Sequence, residues 1–218
     1  GIACYEDKMV QLALKKILEA IYEPRFLNCM YGFRPNRGCH DAIKELYKRL
    51  NNTKICYIVD ADIKGFFDHM KHEWIIKFLY LYIKDPNIIG LVKKYLKVGV
   101  IDGGELMMNE EGSAQGNIIS PILANIYMHN VLTLWYKFII TKECKGDNFL
   151  IVYADDFVAG FQYKWEAENY YKLLKERMEK FGLQLEESKS RLLQSGAYIA
   201  RAKQKSGEST RLETFDFL

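Results

Sequence analysis

The chain has 218 residues, of which 49% are hydrophobic and 27% charged. Such a chain is long enough to bury a sizeable core, as one domain or as two closely joined subdomains. Lys and Arg (31) barely exceed Asp and Glu (28), so net charge alone does not identify a nucleic-acid-binding protein.

Cysteine usage and apolar patterning exclude further classes of protein. The cysteines are scattered, odd in number and without a C-x-x-C pair, which argues against a disulfide framework or a zinc site. Polar residues interrupt the apolar stretches between residues 118 and 140, so no membrane span is expected. We therefore expect a soluble cytoplasmic protein. Gly1 at the start and an apolar run at the end indicate an excerpt of a longer polypeptide.

In chain order, the periodicity predicts helices interspersed with short strands. A loop rich in Gly and Pro lies between the first two helices, and the segment from residue 100 to 117 reads as a hairpin and loop. Ser120 and Pro121 mark a helix start. The alternation is not a regular βαβ pattern, which indicates an α+β fold with helices packed on one face of a sheet. The predicted helices are 7–21, 41–50, 72–82, 86–98, 120 onwards and 165–181, and the strands are 54–62, 149–153 and 157–161.

Two adjacent carboxylates, Asp155 and Asp156, interrupt the apolar stretch "FLIVYADDFVAG". Two like charges about 4 Å apart repel by roughly 4 kcal/mol at an effective dielectric constant near 20. An ordinary Asp-rich hairpin turn is one interpretation, because Asp favours turns. The other is a site whose repulsion is compensated by a divalent cation.

A second apolar strand also ends in a carboxylate. In "VDADIKGFFD", Asp62 ends the predicted strand, and Asp60 lies two residues earlier on the same face. If the two strands are neighbours, Asp62, Asp155 and Asp156 can hold two Mg²⁺ ions, because hard cations prefer oxygen ligands. A two-metal site suits in-line phosphoryl transfer. The alternative for Asp62 is a helix or turn cap.

Positive charge is concentrated in two places. Residues 25–54 carry seven Lys and Arg residues against two acidic ones, and a second group comprises Arg201, Lys203 and Lys205. Polyanion binding requires such local patches, but solvated helix faces have the same composition. Both interpretations stay open.

Several blocks, in order along the whole chain, resemble the group II intron-encoded (retron-type) reverse transcriptases. "YADDF" resembles their YxDD motif, and "ADIKGFFDHM" resembles the preceding Asp motif. The other matching blocks are "YGFRPNRGCHDAI", "EGSAQGNIISPILANIYMH", "GLQLEESKSRLL" and "ETFDFL". The resemblance implies a right-hand polymerase palm with an antiparallel sheet, packed helices, partial fingers and no thumb. It places partial fingers at 1–54 and the palm at 55–218, with a fingers-type insertion at about 86–117.

Carried onto this chain, the resemblance implies a metal site and a sugar-discriminating aromatic residue. Asp62, Asp155 and Asp156, with Ile63 beside them, match the metal-binding positions, which take two Mg²⁺ ions or Mn²⁺ in their place. Phe66 is the first choice for a steric gate against the ribose 2′-OH, with Phe67 turned into the core. The alternative is that both rings are core residues.

The resemblance also implies residues that contact nucleotide, primer and template. Ala114, Gln115 and Gly116 match a "PQG" block of the nucleotide pocket, although Ala114 replaces the usual proline. Tyr153 and Ala154 match the first half of YxDD, beside the primer terminus. Lys189 lies where a lysine can protonate the leaving pyrophosphate, or it is a surface lysine. The loop candidates for template or phosphate contact are Arg34, Pro35, Asn36 and Arg37, with an internal ion pair as the alternative for Arg34.

The implied function is RNA-directed DNA synthesis by a group II intron-type reverse transcriptase that also assists splicing as a maturase. The expected partners are an intron RNA template, a DNA primer and deoxynucleoside triphosphates, and homodimerisation is left open. The alternative is an RNA-binding maturase scaffold with little or no polymerase activity. The intact set of Asp62, Asp155 and Asp156 favours the enzyme, because a scaffold has no physical need for clustered carboxylates.

Overall fold

The computed structural model describes residues 4–97, 100–102, 105–107, 112, 117–206, 215 and 217–218. Among these residues, no helix combines the length and apolar character that crossing a membrane requires. The five cysteines are free thiols. In chain order the helices and strands are α1 Tyr5–Tyr22, α2 Cys39–Asn52, β1 Tyr57–Ala61, α3 Phe66–His69, α4 His72–Tyr80, α5 Pro86–Lys97, β2 Val100–Asp102, β3 Glu105–Met107, α6 Ser120–Met128, α7 Thr141–Glu143, β4 Asn148–Tyr153, β5 Asp156–Phe161, α8 Lys164–Lys180, β6 Arg191–Gln194 and α9 Ala197–Ser206.

Four strands form one antiparallel sheet in the order β4-β5-β1-β6, and β2 and β3 form a separate hairpin. The hairpin at residues 100–107 and the strands β1, β4 and β5 agree with the sequence prediction. The sequence did not predict β6, whose four residues lack the β-branched and aromatic side chains that favour strands. Because β6 pairs with β1, it brings the segment after α8 to the edge where β1 ends.

The larger core lies on the face of the sheet formed by Val59, Ala61, Leu150, Val152 and Phe157. Residues of α1, α4, α6 and α8 pack against this face. The spacing of Leu14, Leu18 and Tyr22 shows how α1 does so, since residues three to four apart share one side of a helix.

The opposite face is covered as well, which corrects the expectation of helices on one face only. Ala42 and Leu46 of α2 pack with Ile58, Ile151 and Val158 in a second, smaller core. The alternation of side chains along a strand explains the two sets, since every second residue points to the other face. On β1 and β5 the face that carries Ile58 and Val158 is therefore also the face of Asp60 and Asp156.

Two helix ends illustrate how local sequence sets the boundaries. Gly182 follows α8 with φ 79°, the left-handed conformation in which glycine commonly ends a helix. At the start of α6, Ile119 and not Ser120 occupies the capping position, and Pro121 lies in the first turn. The α6 helix continues as π-helical segments at His129–Thr133 and Tyr136–Ile140. Residues 122–128 are buried, so this helix runs through the core.

Candidate active site

The pairing of β1 with β5 brings Asp62 and the Asp155–Asp156 turn to one edge of the sheet. Ala61, the last residue of β1, lies opposite Phe157, and Tyr153 lies opposite Asp156 across the β4–β5 turn. Because β1 and β5 are antiparallel, the end of β1 adjoins the beginning of β5. The residue that follows Ala61 is Asp62, so the carboxylates of the two sequence motifs meet at this edge as the motifs predicted.

The β4–β5 turn is tight and held in a demanding backbone conformation. Ala154 has φ 59° and is 5% exposed. A left-handed conformation costs a non-glycine residue about 1–2 kcal/mol, so surrounding contacts must hold it. Gly32 supplies such a contact: a Cβ at Gly32 would lie 2.4 Å from the backbone nitrogen of Ala154.

The segment around Gly32 is fixed to the turn and to the core by hydrogen bonds. The Tyr31 N–H donates to the Val152 carbonyl at 2.8 Å, and the Val152 N–H donates to the Cys29 carbonyl at 2.8 Å. The buried Asn125 side-chain amide donates to the Gly32 carbonyl at 2.9 Å. Sequence reasoning treated Gly32 only as a loop residue, and its supporting role depends on a contact between distant segments.

Lys189 lies directly against the carboxylate at the end of β1. Its Nζ is 2.8 Å from Asp62 Oδ2. The register of β6 explains this contact, because Asp60 lies opposite Arg191 in the antiparallel pair of β1 and β6. Continuing this register by two residues places Asp62 opposite Lys189. The hydrogen bond from Asp62, followed by the attraction of its charge, raises the pKa of Lys189. The structure thus joins Lys189 to Asp62, with both side chains accessible to solvent.

The two adjacent carboxylates are less easily ionised than ordinary aspartates. Loss of hydration is the main reason that the pKa of Asp155 lies above its usual 3.8, and the Asp62 charge adds to this. The pKa of Asp156 is also raised, first by desolvation and then by the charges of Asp155 and Asp62, while Lys189 opposes the shift. The three carboxylates are therefore close enough to repel one another.

These residues are nevertheless not drawn into a closed cation cage. Among the described residues, no group of three or more His, Cys, Asp or Glu side chains is arranged to hold a metal ion. Ile63 is buried and bridges to Leu185, flanked by hydrogen bonds from the Glu186 N–H to the Asp62 carbonyl and from the Lys64 N–H to the Gln184 carbonyl. The Ile63 carbonyl takes part in neither of those two hydrogen bonds. The donor set suits a hard cation, and a lysine ammonium occupies one of its oxygens.

A cleft of about 430 Å³ opens beside these groups. Asp60, Asp62 and Asp156 lie along it together with Lys189 and Arg191. Sequence reasoning did not single out Arg191. Its signal was weak, because recognising it required β6 and the register that places it opposite Asp60.

The structure corrects the expected orientation of the two adjacent phenylalanines. Phe66 is 1% exposed and packs edge-on against Tyr127, with ring centroids 6.2 Å apart. Phe67 is only partly buried and packs against the outside of the same core. Gly65, at φ 53°, precedes the short helix α3 and sets its first residue, Phe66, facing inwards. Phe67 therefore keeps the accessible ring.

The four loop residues predicted to contact template have different surroundings. Arg34 is buried and pairs with Glu23 at 2.7 Å, and it also donates to the Leu27 and Met30 carbonyls. This is the internal ion pair that the sequence left open as an alternative. Arg37 is partly exposed and donates to the Asn28 carbonyl at 2.8 Å. Pro35 and Asn36 are exposed.

The structure describes only some of the residues predicted to line the nucleotide pocket. Ala114, Gln115 and Gly116 lie outside the described residues. Tyr153 is partly buried beside the turn and packs against the smaller core. The roles assigned to these positions stay predictions.

A family model described as "Reverse transcriptase (RNA-dependent DNA polymerase)" matches residues 1–217. The chain belongs to the reverse transcriptase family. The match spans both carboxylate motifs and the sheet that joins them, and it confirms the resemblance drawn from the sequence blocks.

Curated relatives of this reverse transcriptase chain include intron-encoded proteins. The "Group II intron-encoded protein LtrA" of Lactococcus lactis subsp. cremoris is 39% identical over 147 residues, which are 67% of this chain and 24% of that protein. The "Nuclear intron maturase 1, mitochondrial" of Arabidopsis thaliana is 30% identical over 93 residues, or 43% of this chain and 13% of that protein. The chain thus spans about a quarter or less of these relatives.

Solved structures confirm the right-hand polymerase fold. An apo telomerase from Candida tropicalis superposes with a TM-score of 0.61 at 16% identity, covering 88% of this chain and 40% of that one. A telomerase from Candida albicans, solved with a fragment of telomeric RNA, gives 0.59 at 15% identity, covering 89% and 37%. At these identities the likeness establishes the fold alone.

Proposed function

We propose that this chain is the palm, with part of the fingers, of an RNA-directed DNA polymerase that adds deoxynucleotides to a primer 3′-hydroxyl. The observation that supports it best is the meeting of Asp62 with Asp155 and Asp156 at one edge of the reverse transcriptase sheet. Three carboxylates from two separate chain segments at one edge of a sheet are the ligand type that divalent cations require.

The chemistry assigns one task to the three carboxylates and another to Lys189. When bound, two Mg²⁺ ions lower the pKa of the primer hydroxyl and offset the charge on the transferring phosphate. Asp62, Asp155 and Asp156 would hold these ions, with the Ile63 carbonyl close to Asp62. Desolvation first, and then the charges of neighbouring carboxylates, raise the pKa values of Asp155 and Asp156. A bound cation would relieve that repulsion, which favours this role.

Lys189 is the proposed proton donor to the leaving pyrophosphate. It lies at the mouth of the cleft with its ammonium group on Asp62, a contact that raises its pKa. A lysine is protonated at neutral pH, so it can act as an acid. If Asp62 held a bound cation instead of Lys189, the ammonium would be available to the phosphate. The role therefore requires the Lys189–Asp62 pair to open on substrate binding.

The partners follow from the family and from the names of its relatives. A relative is named for a group II intron, another for intron maturation, and a telomerase of the same fold was solved with RNA. We propose an intron RNA as template, a DNA primer and deoxynucleoside triphosphates as substrates, and assistance to splicing as a second role. Since this chain spans a minor part of its relatives, those activities belong to the intact protein.

Primer extension by the intact protein on an RNA template tests the proposal. We expect synthesis that stops with EDTA and with Asp155→Asn, while RNA binding persists. Asp147→Asn is the matched control, because Asp147 lies just before β4, at the opposite end of that strand from the turn. DNA synthesis that survives Asp155→Asn would refute the catalytic assignment. No synthesis by the unaltered protein, with tight binding of structured RNA, would favour the maturase scaffold instead.

A further inference from the structure

A second and larger cleft, of about 740 Å³, lies along the outer edge of β4. One wall is the segment from Pro24 to Cys29, and the other is formed by residues 148–151 of β4. β4 is the last strand of the sheet on this side, since the order is β4-β5-β1-β6. The cleft is therefore a groove at the edge of the sheet and not a cavity inside the core.

Positive charge dominates this outer cleft. Its lining contains Arg25, Arg37, Arg49 and Lys137, against the single carboxylate of Glu45. These cations come from four separate parts of the chain, so they surround the cleft from several sides. Local charge of one sign around a concave surface attracts a polyanion much more effectively than net charge does. The basic residues concentrated at 25–54 thus contribute to a defined surface, the outer cleft.

The arginines of the outer cleft are oriented by the protein itself. Arg37 donates to the Asn28 carbonyl at 2.8 Å, and its guanidinium lies 5.4 Å from the centre of the Tyr31 ring. Arg49 pairs with Glu45 at 2.7 Å and remains 45% exposed. Such contacts reduce the conformational entropy that binding has to remove. Guanidinium groups held in this way suit phosphate oxygens, which accept two parallel hydrogen bonds.

The outer cleft is separate from the carboxylate site. β4 lies two strands away from β1, or about 10 Å across the sheet at the usual strand spacing. Residues 148–151 also lie at the far end of β4 from the Asp155–Asp156 turn, a further 10–20 Å or so along the strand. A ligand in this cleft does not occupy the catalytic position.

We propose that the outer cleft binds the phosphate backbone of single-stranded RNA, outside the duplex that is being copied. The proposal rests on the proposed function only in choosing RNA as the polyanion. Phosphates offset the excess of the four cations over the one carboxylate of Glu45, and the partly exposed Tyr31 offers a ring beside Arg37 for a base. The cleft thus gives the protein a second contact with single-stranded RNA.

An acidic polypeptide fits the outer cleft less well. A polypeptide would bind there by adding a strand to β4, which requires several outward-facing peptide groups. Val152 already uses its outward N–H and carbonyl to bond Cys29 and Tyr31. Because outward groups alternate along a strand, only Leu150 and Asn148 remain in β4 to pair with an added strand. Charge, and not strand pairing, therefore determines what this cleft holds.

The test measures how salt weakens the binding of a 12-nucleotide oligouridylate to the intact protein, by fluorescence anisotropy in EDTA so that no synthesis occurs. The variant carries Arg25→Gln, Arg49→Gln and Lys137→Gln, three exposed or half-exposed side chains of the outer cleft. The matched control carries Lys164→Gln, Lys172→Gln and Lys180→Gln, which remove equal charge from the exposed side of α8. Circular dichroism confirms that both variants are folded.

Each lost phosphate contact lowers the slope of log affinity against log salt by about 0.7 for single strands. We expect the slope of log affinity against log salt to be smaller by about 2 in the cleft variant. The control should keep the slope of the unaltered protein. We also expect photocrosslinks from 4-thiouridine to fall within residues 24–31 and 137–151 and to disappear in the cleft variant. An unchanged slope, an equal loss in the control, or crosslinks only elsewhere would overturn the proposal.

Two further outcomes separate the possible failures. If the cleft variant binds oligouridylate normally but no longer binds an oligoglutamate peptide, the occupant is an acidic polypeptide and the RNA proposal is wrong. If Asp155→Asn leaves the slope unchanged while primer extension is absent from all proteins, the proposed polymerase function fails and the RNA cleft stands.

Discussion

Asp155 and Asp156 place two partly desolvated charges side by side, and the fold does not neutralise them internally. Desolvation is the main cause of their raised pKa values. The Asp62 charge adds to it for Asp155, and the charges of Asp155 and Asp62 add to it for Asp156, whose ionisation the Lys189 ammonium favours. A protein selected only for stability has no reason to retain such a pair. The arrangement is explained if the missing compensation arrives with a cation.

Asp155→Asn is expected to stabilise the folded protein at pH 7 while it abolishes synthesis. Folding raises the pKa of Asp155 above 3.8, so the folded state binds its proton more tightly than the unfolded state does. Stability from this group is therefore fully present below pH 3.8 and is lost as the pH rises through the raised pKa. We expect a gain of about 0.5–1 kcal/mol at pH 7, or about 1–4 °C in Tm.

Urea unfolding of both proteins at pH 7 and at pH 3 measures this difference. The gain should be present at pH 7 and absent at pH 3, where the carboxyl group is protonated in both states. A variant that is less stable than the unaltered protein at pH 7 would show that Asp155 is compensated within the fold.

The Phe66–Phe67 pair predicts two distinct phenotypes. Phe66→Ala removes a fully buried ring and should destabilise the protein by about 3–5 kcal/mol. Phe67→Ala should cost much less stability and instead admit ribonucleotides, because its accessible ring is the better candidate for the steric gate. Urea unfolding and primer extension with each class of nucleotide measure the two effects. Equal sugar discrimination by Phe67→Ala and the unaltered enzyme would remove Phe67 from that role.

At the residue scale, the sequence could identify the carboxylates but not the orientation of the aromatic pair. Asp62 and the Asp155–Asp156 turn each follow an apolar strand, a pattern visible without a structure. Which phenylalanine faces inwards depends on the turn at Gly65, with φ 53°. Two identical neighbouring residues give no signal that distinguishes them.

The β4–β5 turn depends on a neighbouring segment, and Gly32 tests that dependence. A Cβ added at Gly32 would lie 2.4 Å from the Ala154 nitrogen, whereas one added at Gly90 in α5 meets nothing within 4 Å. Gly32→Ala should therefore displace the turn, lower stability by about 1–3 kcal/mol and reduce synthesis strongly. Gly90→Ala should be neutral or stabilise by up to about 1 kcal/mol.

Thermal unfolding and primer extension on the two glycine variants check this expectation. Full activity in Gly32→Ala would mean that the turn adapts to the added methyl group and does not rely on the Gly32 contact.

Strand β6 sets the relation between Lys189 and Asp62, and it predicts a change in metal affinity. The Lys189 ammonium occupies Asp62 Oδ2 at 2.8 Å, so it competes with a cation for that oxygen. Lys189→Ala should tighten Mn²⁺ binding several-fold and slow synthesis, because the proton donor is lost. Electron paramagnetic resonance titration measures the Mn²⁺ affinity without any reaction. Weaker binding in Lys189→Ala would show that the lysine supports the site in another way.

At the element scale, periodicity located most helices and three strands, because long amphipathic or apolar patterns are strong signals. It could not locate β6, whose four residues form a strand only through pairing with β1. The role of Lys189 was therefore inferred from family resemblance and not from pattern, and its position beside Asp62 was not predicted. The pairing of β6 with β1, two segments far apart in the sequence, determines both the strand and the position of Lys189.

At the scale of the whole molecule, the order of motifs identified the family, and the sheet explains why that order works. Segments at about residues 60 and 155 become neighbours because β1 lies beside β5, and antiparallel pairing brings both carboxylate motifs to one edge. The sequence did not predict that α2 covers the opposite face of the sheet, since the amphipathic pattern of α2 does not specify the face on which it packs. The division into fingers at 1–54 and palm at 55–218 stays a prediction.

The central claim is that β1 and the β4–β5 turn together hold divalent cations in the intact enzyme, and iron-mediated cleavage tests it most directly. Fe²⁺ replaces Mg²⁺ at oxygen-rich sites, and with ascorbate and peroxide it cuts the backbone nearby. We predict cuts near residues 62–63 and near 153–156, both suppressed by excess Mg²⁺ and by Asp156→Asn but not by Asp147→Asn. Cuts at only one of these segments, or cuts that Asp156→Asn leaves unchanged, would contradict a shared cation site.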